Sequence, residues 1–286
     1  TFPHYIFCFL FGAQNPANVT NDNGFNYTAK NNGNALVRFT NPEYAFDEVS
    51  DKNGKAYKKP NFSNSSSISA VGAPDLPSRT TFIAVDPSKS YSLQVSYGSS
   101  RVIENIDVAP KGDWNELGSD QSISESDYSN IESFYPAQIA LLSEPMAMRE
   151  LSLVSLTVSP FRYFPQEKRL EEFMDIEVEL IETGNRESIN FFPNKRSRAF
   201  EPLYESLVEN YSSLNRENIP YQRPSILYVL PNNIGYLFGT VEVLMDWKRR
   251  MGYEVNYVSS SAIVNNANNL KNYIENLAEK KFTKVL

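Results

Sequence analysis

The sequence predicts two folded units in series, an all-β sandwich-like unit followed by the opening of an α/β unit built on a parallel sheet. Three observations carry that reading. Short alternating or β-branched runs recur between turn residues as far as residue 180. Near Arg198 a helical rhythm of apolar residues replaces them. From residue 226 a continuous apolar run is followed by alternating helical and extended patterns. A length of 286 residues suits about two domains.

Residues 1–14 carry a short apolar stretch, Tyr5 to Phe11, closed by Gly12, Ala13 and Gln14. It is too short to span a bilayer and has the length and small-residue ending of a secretory signal's apolar core and cleavage zone. We read it as the remnant of a signal peptide, with a buried first strand as the alternative. On that reading the one histidine, His4, and the one cysteine, Cys8, are both removed on export. Residues 15–34 are rich in Asn, Gly and Thr without periodicity, the composition of a flexible lead-in.

The β-rich unit is expected over 35–197. Strands are read at 35–40, 80–85, 90–97, 102–108, 138–142, 149–158 and 173–180, and Asn53-Gly54 marks a tight hairpin turn. In the last run the alternation sets Met174, Ile176, Val178 and Leu180 on the buried face and Phe173 on the other. Residues 198–224 are expected to form a bridging helix, with Phe200, Leu203, Tyr204, Leu207 and Tyr211 as its apolar face, and then a polar linker.

Residues 225–286 read as strand, helix, strand, helix and the start of a third strand at 283–286, an order that requires a parallel sheet with right-handed crossovers. The 226–230 run is apolar enough for a strand covered on both faces. Gly252 suits a left-handed helix cap, and Asn266, Asn268 or Asn269 can open the next helix. Read this way, the sheet is unfinished and leaves an edge and a face uncovered.

A net charge of −7 with dispersed Lys and Arg argues against nucleic acid as a partner, and no apolar run reaches the length of a membrane span. A single cysteine excludes an intrachain disulfide, and no Cys/His spacing suits zinc. Asp175, Glu177 and Glu179 resemble an acidic metal row, but alternate residues of one strand form a solvated face more readily than a converging calcium loop. Gly235 and Gly239 lack the spacing of a phosphate-binding turn. Asn18, Asn26, Asn61, Asn64 and Asn210 satisfy the glycosylation sequon, a pattern common by chance in an Asn-rich chain.

Several phrases together resemble one family. Gly72-Ala73-Pro74-Asp75-Leu76-Pro77 is similar to the Gly-x-Pro-x-Leu-Pro segment that precedes a strand in precursors of the gingipain-like cysteine peptidases (peptidase C25, clan CD). Tyr135-Pro136, Arg149 and then Ser159-Pro160-Phe161-Arg162-Tyr163-Phe164-Pro165 resemble the prodomain's Pro-Phe-x-Tyr-x-Pro signature. Trp247-Lys248 followed by Gly252, and the helix beginning near Asn269, resemble the first elements of the peptidase domain.

The resemblance implies a prodomain followed by the start of a caspase-like α/β catalytic domain. It also implies a Cys nucleophile and a His base, both needed to form a thiolate and protonate the leaving group. Neither His4 nor Cys8 matches those positions; the dyad is expected beyond Leu286, so this chain by itself should lack peptidase activity. No cofactor is expected here, with calcium possible only in the missing catalytic region. The implied partners are the chain's own catalytic domain and, for the whole enzyme, protein or peptide substrates, and the implied location is outside a bacterial cell or on its surface.

Proteolytic activation in the family makes Arg216, Arg198 and Arg223 processing candidates, Arg223 being followed by a hindering proline. Lys168 and Arg169 are candidates for an inhibitory loop, with a plain hairpin end as the alternative. The competing functions are a secreted, non-catalytic binding module with a degenerate α/β domain, and a surface protease that processes exported proteins.

Overall fold

The computed structural model describes residues 23–51, 53–114, 121–122, 128, 131, 133–187, 195–222 and 224–283. The strands of the first part are β1 (Phe25–Ala29), β2 (Ala35–Phe39), β3 (Tyr44–Ser50), β4 (Ala56–Phe62), β5 (Arg79–Ala84), β6 (Lys89–Ile103), β7 (Asp113–Trp114) and β8 (Gln121–Ser122). They continue with β9 (Ala140–Leu142), β10 (Met146–Met148), β11 (Leu151–Val158), β12 (Phe161–Phe164) and β13 (Arg169–Asn185). Then come α1 (Glu201–Leu207), β14 (Ser225–Val229), α2 (Phe238–Arg250), β15 (Glu254–Val258), α3 (Ser261–Val264) and α4 (Ala267–Thr283). The chain divides into two compact units, one drawn from Thr1–Thr81, Ser92–Leu141 and Leu156–Ile181, the other from Phe82–Tyr91, Leu142–Ser155 and Glu182–Leu286.

The first unit is organised on β13. Its middle pairs antiparallel with β2, setting Ile176 opposite Phe39 and Val178 opposite Val37, all essentially without solvent contact. Its beginning pairs with β12, and β6 also pairs with it. The β3–β4 hairpin turns at Asp51, whose carboxylate accepts the N–H groups of Asn53 and Lys55, both at 2.9 Å, while Gly54 takes the left-handed φ of 80° that the turn requires.

The two prodomain-like phrases turn out to contribute to the core. Phe161 and Tyr163 point inward from β12 to join Phe62, Leu76, Ile106, Val108 and Leu170. The Tyr163 hydroxyl donates to Ile106 O at 3.0 Å, and burial pushes its pKa up to about 12. Leu76 is buried, and beside it the Asp75 carboxylate, 2% exposed, is met by Lys59 at 2.7 Å. A buried charge needs such a partner.

Three expectations for this unit are corrected. Residues 25–29 belong to β1 rather than a lead-in. Phe25 is buried with its ring 4.8 Å from Phe39, and Gly24 is required because a Cβ there would lie 2.7 Å from Thr40 O. A five-residue strand flanked by Asn and Gly is too short to show periodicity. Residues 90–97 and 102–108 are not two strands: β6 is continuous through Gly98-Ser99-Ser100, and beyond it Val108 makes only an isolated bridge to Lys58.

The same place explains the third. Asp175 adopts a left-handed φ of 54°, which breaks the alternation of β13, so Phe173 is buried together with Ile176 and Met174 is only half-buried. Gly98 accommodates this, since a Cβ on it would come 3.1 Å from the Asp175 Cβ. What looked like turn composition in β6 is the close approach of two strands.

The second unit has a core of Leu151, Leu153, Tyr204, Val208 and Tyr211, with Phe82 and Phe200 packed against it. The apolar face expected on the bridging helix is shifted. Tyr204, Val208 and Tyr211 are buried, whereas Leu203 and Leu207 are more than a third exposed. Because α1 ends after seven residues and Val208 is extended, Tyr211 reaches the core from the following turn rather than by helical continuation.

Residues 224–283 follow the expected order. β14 and β15 pair in parallel, Ile226 opposite Val255 and Val229 opposite Val258, with α2 as the connection between them. Met245 is buried, and Phe238 packs edge-on against Tyr257 at 5.3 Å. Gly252, at φ 91°, closes α2 with its N–H on Arg249 O while Tyr253 N–H returns to Lys248 O, the two bonds of a Schellman cap. Asn266 caps α4, its side-chain oxygen accepting Asn269 N–H at 3.0 Å.

The expectation that β14 is covered on both faces is not met: its middle residues are half-buried and Val229 is 45% exposed. Among the described residues its sheet has two strands, and a two-stranded sheet cannot enclose its own residues. Thr283 ends α4 rather than opening a strand, and residues 284–286 lie outside the described residues.

The bulge yields a stability prediction. Asp175→Gly removes the penalty of a left-handed non-glycine residue and should stabilise the chain by about 0.5 to 1 kcal/mol, whereas Asp175→Val should destabilise it by about 1 to 2 kcal/mol. Urea unfolding of the two variants checks both signs.

Candidate functional site

The segment after α1 was expected to continue the helix to Tyr211 and then run as a polar linker. It is instead tied down every few residues. Glu209 N–H donates to Phe82 O, and the Asn210 amide makes a two-way clasp on Ala84, accepting its N–H at 2.8 Å and donating to its carbonyl at 2.9 Å. Asn210 is 5% exposed, so of the five sequons this one is consumed by the fold. Farther on, Arg196 N–H donates to Pro220 O and Gln222 N–H to Arg196 O, a short parallel bridge at the far end of the linker.

Between these anchors lies a chain of alternating charges. Arg149, at φ 56°, turns the chain into β11 and leaves Glu150 facing inward. The Glu150 carboxylate, 4% exposed, accepts from Arg216 Nη2 at 2.8 Å and from the Tyr204 hydroxyl at 3.1 Å. Arg216 is equally enclosed; its Nη1 donates to the Tyr211 hydroxyl at 3.0 Å, and its guanidinium lies over the Tyr211 ring at 5.3 Å. Tyr211 donates in turn to Glu201 at 2.6 Å. Arg196 grips both oxygens of Glu201 at 2.9 Å each and reaches the Arg216 carbonyl at 3.2 Å.

The electrostatics follow from that order. Burial, reinforced by the neighbouring carboxylates, pushes the Tyr204 and Tyr211 hydroxyls well above the ordinary phenol range, so both stay protonated donors. The Arg196 fork holds the Glu201 carboxyl below the usual range. Each carboxylate of this network is thus flanked by a cation and a phenol, and each of its charges has a partner. Such an arrangement holds a segment in place; among the described residues no group of three or more His, Cys, Asp or Glu could hold a metal ion.

The residues singled out from sequence fall in different surroundings. Arg216 is inside this clamp, 7% exposed. A peptidase must draw an extended stretch of chain into its cleft, so cutting after Arg216 requires the clamp to open first. Arg198 is exposed, its guanidinium 4.9 Å from the Tyr221 ring centre, and Arg223 lies outside the described residues. Lys168 and Arg169 sit in the first unit at the hairpin turn from β12 to β13. Lys168 pairs with Asp107 at 2.9 Å, and Arg169 stacks on Phe164 at 3.6 Å and pairs with Glu167 at 2.7 Å.

Glu177 and Glu179 of the acidic row pair with Arg38 at 2.7 Å and Lys30 at 3.0 Å, as residues of a solvated face do. Sequence reasoning missed Glu150, Glu201 and the two tyrosine hydroxyls. An acid next to the family-like Arg149 was the one available signal, and it carried no hint of its partner 66 residues away.

Two predictions follow from the clamp. Arg216→Ala strands a buried carboxylate and should cost about 3 to 5 kcal/mol, while Glu150→Gln with Arg216→Met should recover most of it, as denaturant unfolding will show. Glu201 has a lowered pKa in the fold, so its contribution is complete above its unfolded pKa of about 4.3 and is lost as pH falls through the lower folded value. The stability gap between the native chain and Glu201→Gln should therefore be constant near neutrality and close below about pH 4.

Comparison with known proteins places the chain. Residues 19–211 match the Propeptide_C25 family, a span that holds both prodomain-like phrases and every clamp residue but Arg216. Gingipain R2 of Porphyromonas gingivalis is 25% identical over 254 residues, covering 86% of this chain and 34% of its own length. Gingipain R1 of the same species is 25% identical over 254 residues, covering 86% of this chain and 25% of its own. The chain therefore spans about a third or less of these relatives.

Among solved structures, one of a complex of Porphyromonas gingivalis RgpB pro- and mature domains shares the fold, with a TM-score of 0.58 at 23% identity over 67% of this chain and 98% of that one. Among the described residues no helix is long and apolar enough to cross a membrane. By the matched span, the chain belongs to the Propeptide_C25 family and carries a gingipain-like propeptide.

Proposed function

We propose that the chain is the leading part of an exported gingipain-like cysteine endopeptidase precursor, in which the propeptide helps the peptidase domain fold and restrains it until proteolytic activation. Residues from Ser225 onward are the start of a caspase-like peptidase domain on this reading, and the catalytic cysteine and histidine are supplied by sequence beyond Leu286. The observation that carries it is the clamp. A propeptide that must let go only once has reason to hold its junction with the next domain in a buried, charge-paired form. The exposed apolar residues of the second unit, Val229, Val243 and Trp247 among them, support the same reading, since a sheet and helix left this open are suited to further packing.

In this scheme Arg216 is a late cut and Arg198 an early one. Exposure makes Arg198 available in the folded precursor, whereas Arg216 becomes available after the Glu150 pair is broken. Lys168 and Arg169 act in the hairpin through Asp107 and Glu167, and a role in blocking the cleft would require them to leave those partners.

The test mixes the purified chain with the mature peptidase domain of the same precursor and follows peptide hydrolysis. Inhibition at a stoichiometric ratio is expected, and full activity in the presence of excess chain would overturn the proposal. Limited digestion of the chain with an arginine-specific protease should cut after Arg198 before Arg216, and Glu150→Gln should bring the second cut forward about tenfold or more, the effect of weakening the pair by about 1.4 kcal/mol.

A further inference from the structure

Among the described residues, the strand β6 leaves one of its edges open in a way that folded proteins usually prevent. Among the described residues it pairs with β13 alone. It is 15 residues long, and every residue from Gln94 to Val102 is exposed, including Val95, Tyr97 at 51% and Val102 at 46%. Between Lys89 and Arg101 it carries no charge and no proline. Edges are normally blunted by lysine, proline or short length. β4 in the same unit is instead met on its outer side, Lys58 exchanging backbone hydrogen bonds with Asp107 and Ala109.

The face of β6 beside this edge is also shaped to receive something. Leu93, Val95 and Tyr97 line a groove of about 280 Å3 with Ile139, Arg162 and Phe173, and the Tyr97 ring packs on Phe173 at 4.6 Å. An added strand would present alternate side chains to that groove, the usual geometry of strand addition.

We infer that β6 pairs antiparallel with β6 of a second copy of this chain, about a two-fold axis at Ser96. The sequence is self-complementary in that register. Val95 of each copy stands opposite Tyr97 of the other, twice over, and β-branched with aromatic is a favourable cross-strand pair. Leu93 meets Ser99 and Gln94 meets Gly98. The two Arg101 residues fall at opposite ends of the ribbon. Moving the axis to Val95 would instead set Lys89 opposite Arg101, two like charges, and would lose both Val–Tyr pairs. Opposite residues of an antiparallel pair share a face, so the partner's Val95 and Tyr97 extend the apolar groove across the axis. One strand pair is a small interface, under about 1,200 Å2 in total, so the dimer is a reversible one.

Sedimentation or light scattering of the full chain between about 1 and 100 μM tests this, a range that brackets a micromolar dissociation constant. A concentration-dependent dimer is expected. Val95→Lys with Tyr97→Lys sets lysine against lysine in both pairs and should weaken the dimer by on the order of 100-fold. Val95→Lys with Tyr97→Glu alters the same exposed positions but sets lysine against glutamate in both pairs, and it should restore the dimer. A native chain that stays monomeric throughout the range overturns the inference. So does a dimer that survives the double lysine variant, or one that the lysine–glutamate variant fails to recover.

Discussion

A carboxylate taken out of water must be given a cation, and Glu150 is where this chain meets that demand. Its position is set early, by the left-handed turn at Arg149 that leads into β11, and its partner comes from the far side of α1. Because the cost of leaving Glu150 unpaired is several times that of breaking a surface pair, the segment bearing Arg216 has little freedom to be anywhere else. The path of the linker brings Arg216 to that charge and the packing of Tyr204 brings its hydroxyl, while Tyr211 accepts from Arg216 and donates to Glu201. What reads in sequence as a polar linker is held from both ends and in the middle.

The first unit rests on a different constraint, the length of β13. A strand of 17 residues would twist steadily away from its neighbours, and the bulge at Asp175 resets both its bend and its alternation. That reset lets β13 serve β12 with one part and β2 with another while Phe173 and Ile176 both face inward. It also fixes glycine at position 98 of β6. The stretch around it, Ser96 to Ser100, carries no charge, and among the described residues its outer edge is unpaired, so a packing requirement on one side of β6 adjoins a pairing surface on the other.

The two units differ in how completely they satisfy their own residues. In the β-rich unit Leu76, Phe161 and Tyr163 of the prodomain-like phrases are buried, and the Asp75 carboxylate has a cationic neighbour. In residues 224–283 the helix caps are sound and the parallel register is regular, yet Trp247, Val243 and Val229 remain in solvent. Local structure there is finished while its burial is not.

How much was legible in the sequence follows the range of the interactions. The strands with clean alternation, the Asn-Gly hairpin, the Gly252 cap and the strand–helix–strand order of the second part were all determined by residues close together in the chain, because turn chemistry and period are local properties. The β1 strand, the continuity of β6, the break in β13 and the face of α1 were decided only in three dimensions. Each depends on a neighbour distant in sequence: Phe39 for Phe25, Asp175 for Gly98, and the Leu151–Leu153 core for Tyr204. Arg216 shows the difference most plainly. Its sequence context is that of an exposed basic residue in a linker, and only the fold, by placing a buried carboxylate within 2.8 Å, makes it an anchor. A lone charge in a sequence carries no record of its partner, and it is the desolvation of the pair that decides its role.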